Sequence, residues 1–277
     1  MDSENAASAE RPPLGIDTSK AHPARRYNYW LGGKDNFAVD RESADVVASA
    51  FPTVHLAARE NRRFMRRAVT YLAGETGIRQ FLDIGTGLPS AGNVHEAAQE
   101  IAPEARIVYV DNDPIVLVHA RALLTSSPEG ATAYLDADLR EPEKITGHPD
   151  LHRTLDLTRP VALMLVAIMH FIEDGDDPYG IVRHLLSRLP SGSHLVMTHA
   201  TGDHLTPEER EVNDEANRRS GVPFRLRSRD EFARFFEGLD VLEPGITSVL
   251  EWRPDGPRGA SPSIGDVSML CAVARVP

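Results

Sequence analysis

The chain has 277 residues, 41% of them hydrophobic, with 30 Lys and Arg against 41 Asp and Glu and a formal net charge of −11. That length and apolar fraction suffice for one large domain, or for one domain with a small cap. The acidic balance argues against nucleic acid as a partner, because phosphate-driven binding rests on Lys and Arg, and the clusters Arg62-Arg63 and Arg66-Arg67 do not overturn it.

Residues 1–16 read as an acidic, polar tail without the apolar region of a signal peptide. Residues 17–75 read as an N-terminal cap segment and helix. Within them, Arg25-Arg-Tyr-Asn-Tyr-Trp-Leu-Gly-Gly-Lys-Asp-Asn-Phe37 sets aromatics and a glycine pair among polar residues. Such a run is poor for a regular helix and suits an ordered segment lying on another surface. Ala57 to Ala73 has helical spacing, with Phe64, Ala68, Val69 and Leu72 on one face and arginines on the other.

From residue 76 strand and helix patterns alternate. A strand at 81–84 (Phe81, Leu82, Ile84) leads through a glycine loop to a helix near 92–102, where Val94, Ala97, Ala98 and Ile101 face a core. A strand at 106–110 leads to a helix near 114–124 with Pro114 in its first turn. Ala131 to Leu135 is a weaker strand ending at Asp136-Ala-Asp138. Val161 to Ile168 is apolar throughout, as a central strand covered on both faces would be. The longest apolar run, Val161 to Met169, is about half a membrane span, so no membrane is expected as a partner. A helix near 178–189 and a strand from Ser193 to Thr198 follow.

The last third is organised differently. Thr206-Pro-Glu-Glu209 is a capping box that opens a helix at about 207–220, whose few apolar positions, Val212 and Ala216, suggest a partly exposed lid within an insertion at about 203–225. Ser228-Arg-Asp-Glu231 opens another helix, with Phe232, Phe235 and Phe236 inward and Gly238 at its end. Ile246 to Trp252 and Val267 to Val276 read as strands joined by the Pro/Gly-rich 253–266 loop, an antiparallel pair. The single Cys271, in the last of these, permits no intrachain disulfide and suits a reducing cytoplasm. The fold class expected is α/β: a Rossmann-like seven-stranded, mostly parallel sheet flanked by helices, with an antiparallel C-terminal strand pair and an N-terminal cap.

The glycine loop carries the chemistry. Gly85-Thr-Gly87-Leu-Pro-Ser90 follows a strand, as a nucleoside-binding loop should, yet lacks the third glycine of a dinucleotide fingerprint. Asp83 projects a carboxylate near this loop, which is unhelpful beside a pyrophosphate and useful beside the ammonium and sulfonium of S-adenosylmethionine (SAM). Asp111, at the next strand end, can accept from both ribose hydroxyls of either cofactor, and Asp138, after the third strand, can accept from an adenine amino group. Three acids at adjacent strand ends fit SAM better than NAD.

Taken together, Asp83-x-Gly85-x-Gly87, Asp111, Asp136-Ala-Asp138-Leu139 and the apolar strand before Met169-His170 resemble the class I SAM-dependent methyltransferases. More narrowly, Ala24-Arg-Arg-Tyr-Asn-Tyr-Trp-Leu-Gly-Gly-Lys-Asp-Asn-Phe37 with Phe81-Leu-Asp-Ile-Gly-Thr-Gly-Leu-Pro89 resembles an actinobacterial SAM methyltransferase family first described as a domain of unknown function. The resemblance covers nearly the whole chain beyond the tail, making residues 76–277 a SAM-binding domain. It implies that Asp83, Gly85, Thr86 and Gly87 approach the methionine moiety, that Asp111 holds the ribose and Asn112 the adenine face, and that Asp138 and Leu139 meet the adenine edge. Ala167 to His170 would line the methyl side. Pro89, where a third glycine often stands, is the departure from the broad class.

His170, in Ile168-Met-His-Phe-Ile-Glu-Asp174, is the candidate base, since the segment resembles the His-x-x-x-Asp run of small-molecule O-methyltransferases. A packed strand-end histidine is its bland alternative, and His199 and His204 are weaker candidates. Tyr29 or Trp30 would cover the pocket, and Arg59 or Arg62 would pair the methionine carboxylate. No residues have metal-ligand spacing, and methyl transfer requires no metal. The expected function is methyl transfer from SAM to an oxygen or nitrogen of a small-molecule acceptor, by a protein working alone or as a homodimer. An NAD(P)-dependent oxidoreductase and a non-catalytic SAM-binding sensor or scaffold are the rivals. An open second pocket beside the cofactor separates the enzyme from the sensor.

Overall fold

The computed structural model describes residues 17–90, 92–123, 125–256 and 262–277. The 1–16 tail and the middle of the 253–266 loop lie outside the described residues.

Buried strands alternate their side chains between two faces, and here each face is apolar. Strands β1 (Gln80–Ile84), β2 (Arg106–Asp111), β3 (Ala131–Asp136), β4 (Ala162–Leu165) and β5 (His194–Ala200) pair in parallel. Strand β8 (Met269–Arg275) runs antiparallel to β5, and the two-residue strands β6 (Asp240–Val241) and β7 (Thr247–Ser248) both pair with it. The order β3-β2-β1-β4-β5-β8-β6 gives an eight-stranded sheet with β7 off the path. The chain leaves β1 toward β2 and β3, then returns to β4 on the other side of β1. Such a reversal opens a crevice at the carboxyl ends of the two central strands.

One face of the sheet (Phe81, Ile107, Met164, Val196, Val273) is covered by α3 (Val54–Gly74) and α4 (Val94–Gln99). Phe64, Ala68, Val69 and Leu72 of α3 are fully buried there, so α3 is part of the sandwich although it precedes β1. The other face (Leu82, Val108, Leu163, Met197, Ala272) is covered by α6 (Pro142–Thr146), α7 (Pro149–Thr154), α8 (Pro178–Leu186) and α10 (Arg229–Ala233), with Phe232, Phe235 and Phe236 inward. Helix α5 (Pro114–Leu123) follows β2 and packs against β2 and β3, and α11 (Ile264–Val267) leans on α3.

Several elements differ from the sequence reading. The glycine-aromatic segment opens with a regular helix, α1 (Pro23–Trp30), because His22 accepts the Ala24 N–H and Pro23 pre-sets the first turn; the glycines act only after it, with Gly32 at φ +82°. Helix α2 (Ala38–Ala50), which the pattern did not suggest, is started by Asp40 accepting the Phe37 N–H at 2.9 Å. Strand β4 is shorter than 161–168 because Ala167 sits at φ +57° and turns the chain out of the sheet. The expected strand 246–252 pairs only at β7. Beyond it Trp252 is fully buried, edge-on to Phe64 and Tyr71 at 5.5 and 5.8 Å, and Arg67 donates to the Val249 and Trp252 carbonyls at 2.6 and 3.0 Å. A side chain has replaced the ladder partner. Helix α9 (Pro207–Arg219) leaves Val212 57% exposed but buries Ala216 and packs on α2, so the expected lid is joined to the N-terminal segment.

Candidate cofactor site

A cavity of about 250 Å³ occupies the crevice at the ends of β1 and β4. Its floor is the glycine loop. Gly85 and Gly87 have φ of +74° and +69°, a region that glycine adopts without penalty. At Gly85 there is also no room: a Cβ would lie 2.6 Å from Ile168 Cγ1. Gly85 and Thr86 donate their N–H groups to the Val110 carbonyl, and Thr86 Oγ1 donates to the Asp83 carbonyl at 3.0 Å. The loop is thus tied to both strands it joins.

The acids differ in how they are satisfied. Asp111 accepts the Gly87 N–H through Oδ2 at 2.8 Å and the Asp113 N–H through Oδ1 at 2.9 Å. Burial still holds its carboxyl above the ordinary range, against those two donors. Asp83 is buried and, among the described residues, accepts no side-chain hydrogen bond. Burial lifts its carboxyl to about 7, with the Arg62 guanidinium pulling down and the Asp111 carboxylate pushing up. A buried carboxylate without a donor is costly, and it faces the cavity. Asp138 is less buried: it accepts from Asn112 Nδ2 at 3.1 Å and from the Arg140 N–H at 2.8 Å. Leu139 and Ala167 complete this rim.

Of the two candidate arginines, Arg62 lines the cavity and donates to the Gly92 carbonyl at 3.2 Å, whereas Arg59 is exposed and bonds its own helix at His55. Tyr29 does not cover the cleft: its hydroxyl bonds Asp45 on α2 at 3.2 Å. The helical turn of α1 brings Tyr27 there instead, with its hydroxyl donating to the Ala58 carbonyl at 2.9 Å and accepting from Asn61 Nδ2 at 3.0 Å. His22, Pro23 and Ala24 form part of the roof, as do Gly221, Val222 and Pro223 after α9.

That roof is clamped by a residue the sequence reading passed over. Asp113 is 1% exposed, and its Oδ2 takes Arg25 Nε at 2.8 Å and lies 3.2 Å from His22 Nδ1. Asp40, fully buried, accepts the backbone N–H groups of His22 and Phe37, both at 2.9 Å. The signal for Asp113 was its position in Asp111-Asn112-Asp113; its partner Arg25 lies 88 positions upstream, and no local pattern reveals such a pair.

A second, smaller cavity of about 80 Å³ adjoins the first and shares Tyr27, Ala167 and Phe171 with it. His170 lines this second cavity rather than the cleft. It is 4% exposed in a 3-10 turn, Met169–Phe171, flanked by Phe171 and Phe224, and its Nδ1 has no partner among the described residues. Burial, reinforced by His199, Arg26 and Arg227, holds its imidazole well below the usual range, so it is neutral at pH 7. His199 is fixed: Nδ1 donates to the Ala200 carbonyl at 2.7 Å, which leaves Nε2 to accept from Arg227 Nη1 at 2.9 Å. Burial lowers it to about 3, and with both ring nitrogens engaged it has none free to take a proton from a ligand. His204 is exposed. Arg227 also donates to the Met169 and Ile172 carbonyls and to Asp174, so it braces the turn that carries His170.

A parallel sheet reversing at β1, an antiparallel last strand, a glycine loop and carboxylates at successive strand ends define a class I SAM-dependent methyltransferase. The chain belongs to the S-adenosyl methyltransferase family, whose sequence model matches residues 9–277. A DUF574 family protein of Streptomyces avermitilis MA-4680 is 50% identical, covering 95% of this chain and 100% of its own, with a TM-score of 0.90. A candidate methyltransferase of Thermobifida fusca YX is 40% identical over 97% of this chain and 99% of its own, with a TM-score of 0.87. No curated protein matches the chain. The unpaired Asp83 carboxylate and the glycine cradle suit the cationic cofactor of this family. Among the described residues no group of His, Cys, Asp and Glu could hold a metal, and no helix is long and apolar enough to cross a membrane.

Proposed function

We propose that the protein methylates an oxygen or nitrogen of a small-molecule acceptor seated in the second cavity. The observation that carries this reading is the shared wall: Tyr27, Ala167 and Phe171 border both cavities, so the smaller one lies directly beside the cofactor cleft. A SAM-binding sensor has no need of that second space.

SAM, when bound, supplies a methyl carbon already activated by its sulfonium. The chain's part is then to align two molecules and to exclude water. Asp83 would take the cationic end of the cofactor and Arg62 the methionine carboxylate. Asp111 would hold the ribose and Asn112 the adenine face, and Asp138 with Leu139 the adenine edge. Gly85, Thr86 and Gly87 allow backbone to come close. His170, neutral and with Nδ1 unpartnered, would accept the acceptor's proton as the new bond forms, and Arg227 would keep its turn in place. The acidic balance of the chain disfavours a nucleic-acid acceptor, and the single cysteine is in keeping with a cytoplasmic setting.

The test is to supply SAM with a panel of hydroxyl- and amine-bearing small molecules and follow S-adenosylhomocysteine release. Turnover with a compact acceptor supports the reading. Turnover only with a protein or RNA acceptor overturns it.

A further inference from the structure

The second cavity is apolar for most of its wall, with Val47, Phe51, Val54, Leu205 and Met269 among its lining. Into this wall the sequence places a guanidinium. Arg26 is 1% exposed, and among the described residues the one hydrogen bond of its guanidinium is Nη1 to Ser43 Oγ at 3.3 Å, while its Nε has no partner. No carboxylate of the described residues comes within ion-pair distance of it. The nearest acid acting on it, Asp40, is already bonded to the His22 and Phe37 N–H groups. Arg26 stacks over Trp30 at 5.4 Å, and the indole Nε1 of Trp30, a second cavity residue, is also buried without an acceptor.

A buried cation normally persists only when paired, and buried N–H groups normally find acceptors. Two residues lining one apolar cavity that each keep a buried donor without a partner among the described residues, one of them cationic, therefore define a half-made anion site. The space, about 80 Å³, accommodates a ligand of ring size by the measure on which one water needs about 10–15 Å³.

We propose that the acceptor is a compact, ring-sized molecule bearing a carboxylate, whose anionic group is held by Arg26 with the Trp30 N–H while its apolar body packs on the cavity wall. This rests on the second cavity being the acceptor site. A fork of guanidinium donors matches a carboxylate and fixes its plane, so the anion would also set which atom of the acceptor faces the cofactor. His170 stands on the same cavity, within the shell the acceptor would occupy.

The experiment is isothermal titration of the full chain, first with S-adenosylhomocysteine and then, on the saturated protein, with benzoate and with its neutral isostere benzamide. Saturation keeps the probes out of the cofactor cleft. The expected result is benzoate binding at least about 10-fold tighter than benzamide, with Arg26→Gln abolishing that preference, Arg26→Lys restoring part of it, and S-adenosylhomocysteine affinity unchanged in both. Equal binding of the two probes, no benzoate binding, or an unaltered preference in Arg26→Gln each overturns the proposal. The wild-type comparison alone decides the matter if the variants do not fold. Absence of S-adenosylhomocysteine binding would instead overturn the cofactor reading, and so the two failures are distinct.

Discussion

The Asp111 carboxylate receives the backbone N–H of Gly87 at 2.8 Å, and its other oxygen receives that of Asp113 at 2.9 Å. One side chain therefore sets both the glycine loop and the turn that carries the roof clamp. In Asp111→Asn a donor replaces one acceptor and faces an N–H. Stability should fall by about 1–3 kcal/mol and SAM affinity by at least about 10-fold. Thermal unfolding and SAM titration measure the two effects; unchanged values would remove Asp111 from both roles.

Asp83 should show opposite effects on stability and on binding. Its carboxyl is raised by burial to about 7, from an ordinary aspartate value of about 4, so the cost of burying its charge grows as pH rises from about 4 and is complete above about 7. Asp83→Asn should therefore raise the melting temperature of the unliganded protein at pH 8, with the gain shrinking toward pH 4. The same variant should bind SAM at least about 10-fold more weakly. In the wild type, SAM affinity should decline as pH drops below about 7, where the carboxylate takes up a proton. A flat affinity between pH 6 and 8 would show that Asp83 does not face the cofactor's charge.

Gly85→Ala meets two penalties, the positive φ and the Ile168 side chain at 2.6 Å. The variant should lose about 1–3 kcal/mol and bind SAM poorly. Adding Ile168→Ala should recover the steric part and leave the backbone part. Full recovery in the double variant would mean that the φ of Gly85 carries no strain.

Arg227 donates to two carbonyls, His199 and Asp174 from a fully buried position. Arg227→Met strands those acceptors and should destabilise the fold by about 3 kcal/mol or more. Arg227→Lys should not rescue it, because an ammonium on one stem cannot span acceptors spaced for a fork. Urea denaturation of the three proteins settles this.

His170 should titrate outside the usual histidine range. Its imidazole is held well below 6.5, chiefly by burial, so NMR titration of its ring carbons should show no inflection between pH 6 and 8. An inflection near 6.5 would mean that the ring is solvated and that the second cavity is open to water.

The sheet was readable because each strand carries its own pattern. Runs such as Phe81-Leu82 and Val161 to Leu165 are apolar on both faces, and the acids and glycines that end β1 and β2 are local. The cleft residues from Asp83 to Leu139 came with the strand ends and needed only the order of strands to converge. The cap was not readable for the opposite reason. Whether Tyr27 or Tyr29 turns inward depends on α1 being a helix, and α1 depends on a histidine cap and on Asp113 and Asp40 lying opposite it. Strand β7 failed similarly: Val249 to Trp252 has a strand's composition, but the Val249 and Trp252 carbonyls are taken by Arg67 of α3. The enclosure of Arg26 was not readable, since nothing in a sequence marks which cation is buried.

The clamp between Arg25 and Asp113 also bears on how the molecule is made. Residues 22–40 leave the ribosome well before β2, so the front of the chain can meet α3 through Tyr27 but lacks its bond to the glycine-loop side until Asp113 is synthesised. Closing over the crevice is then a late step of assembly, and a nascent chain halted before residue 113 would have its cover hinged on α3 but not latched across the crevice.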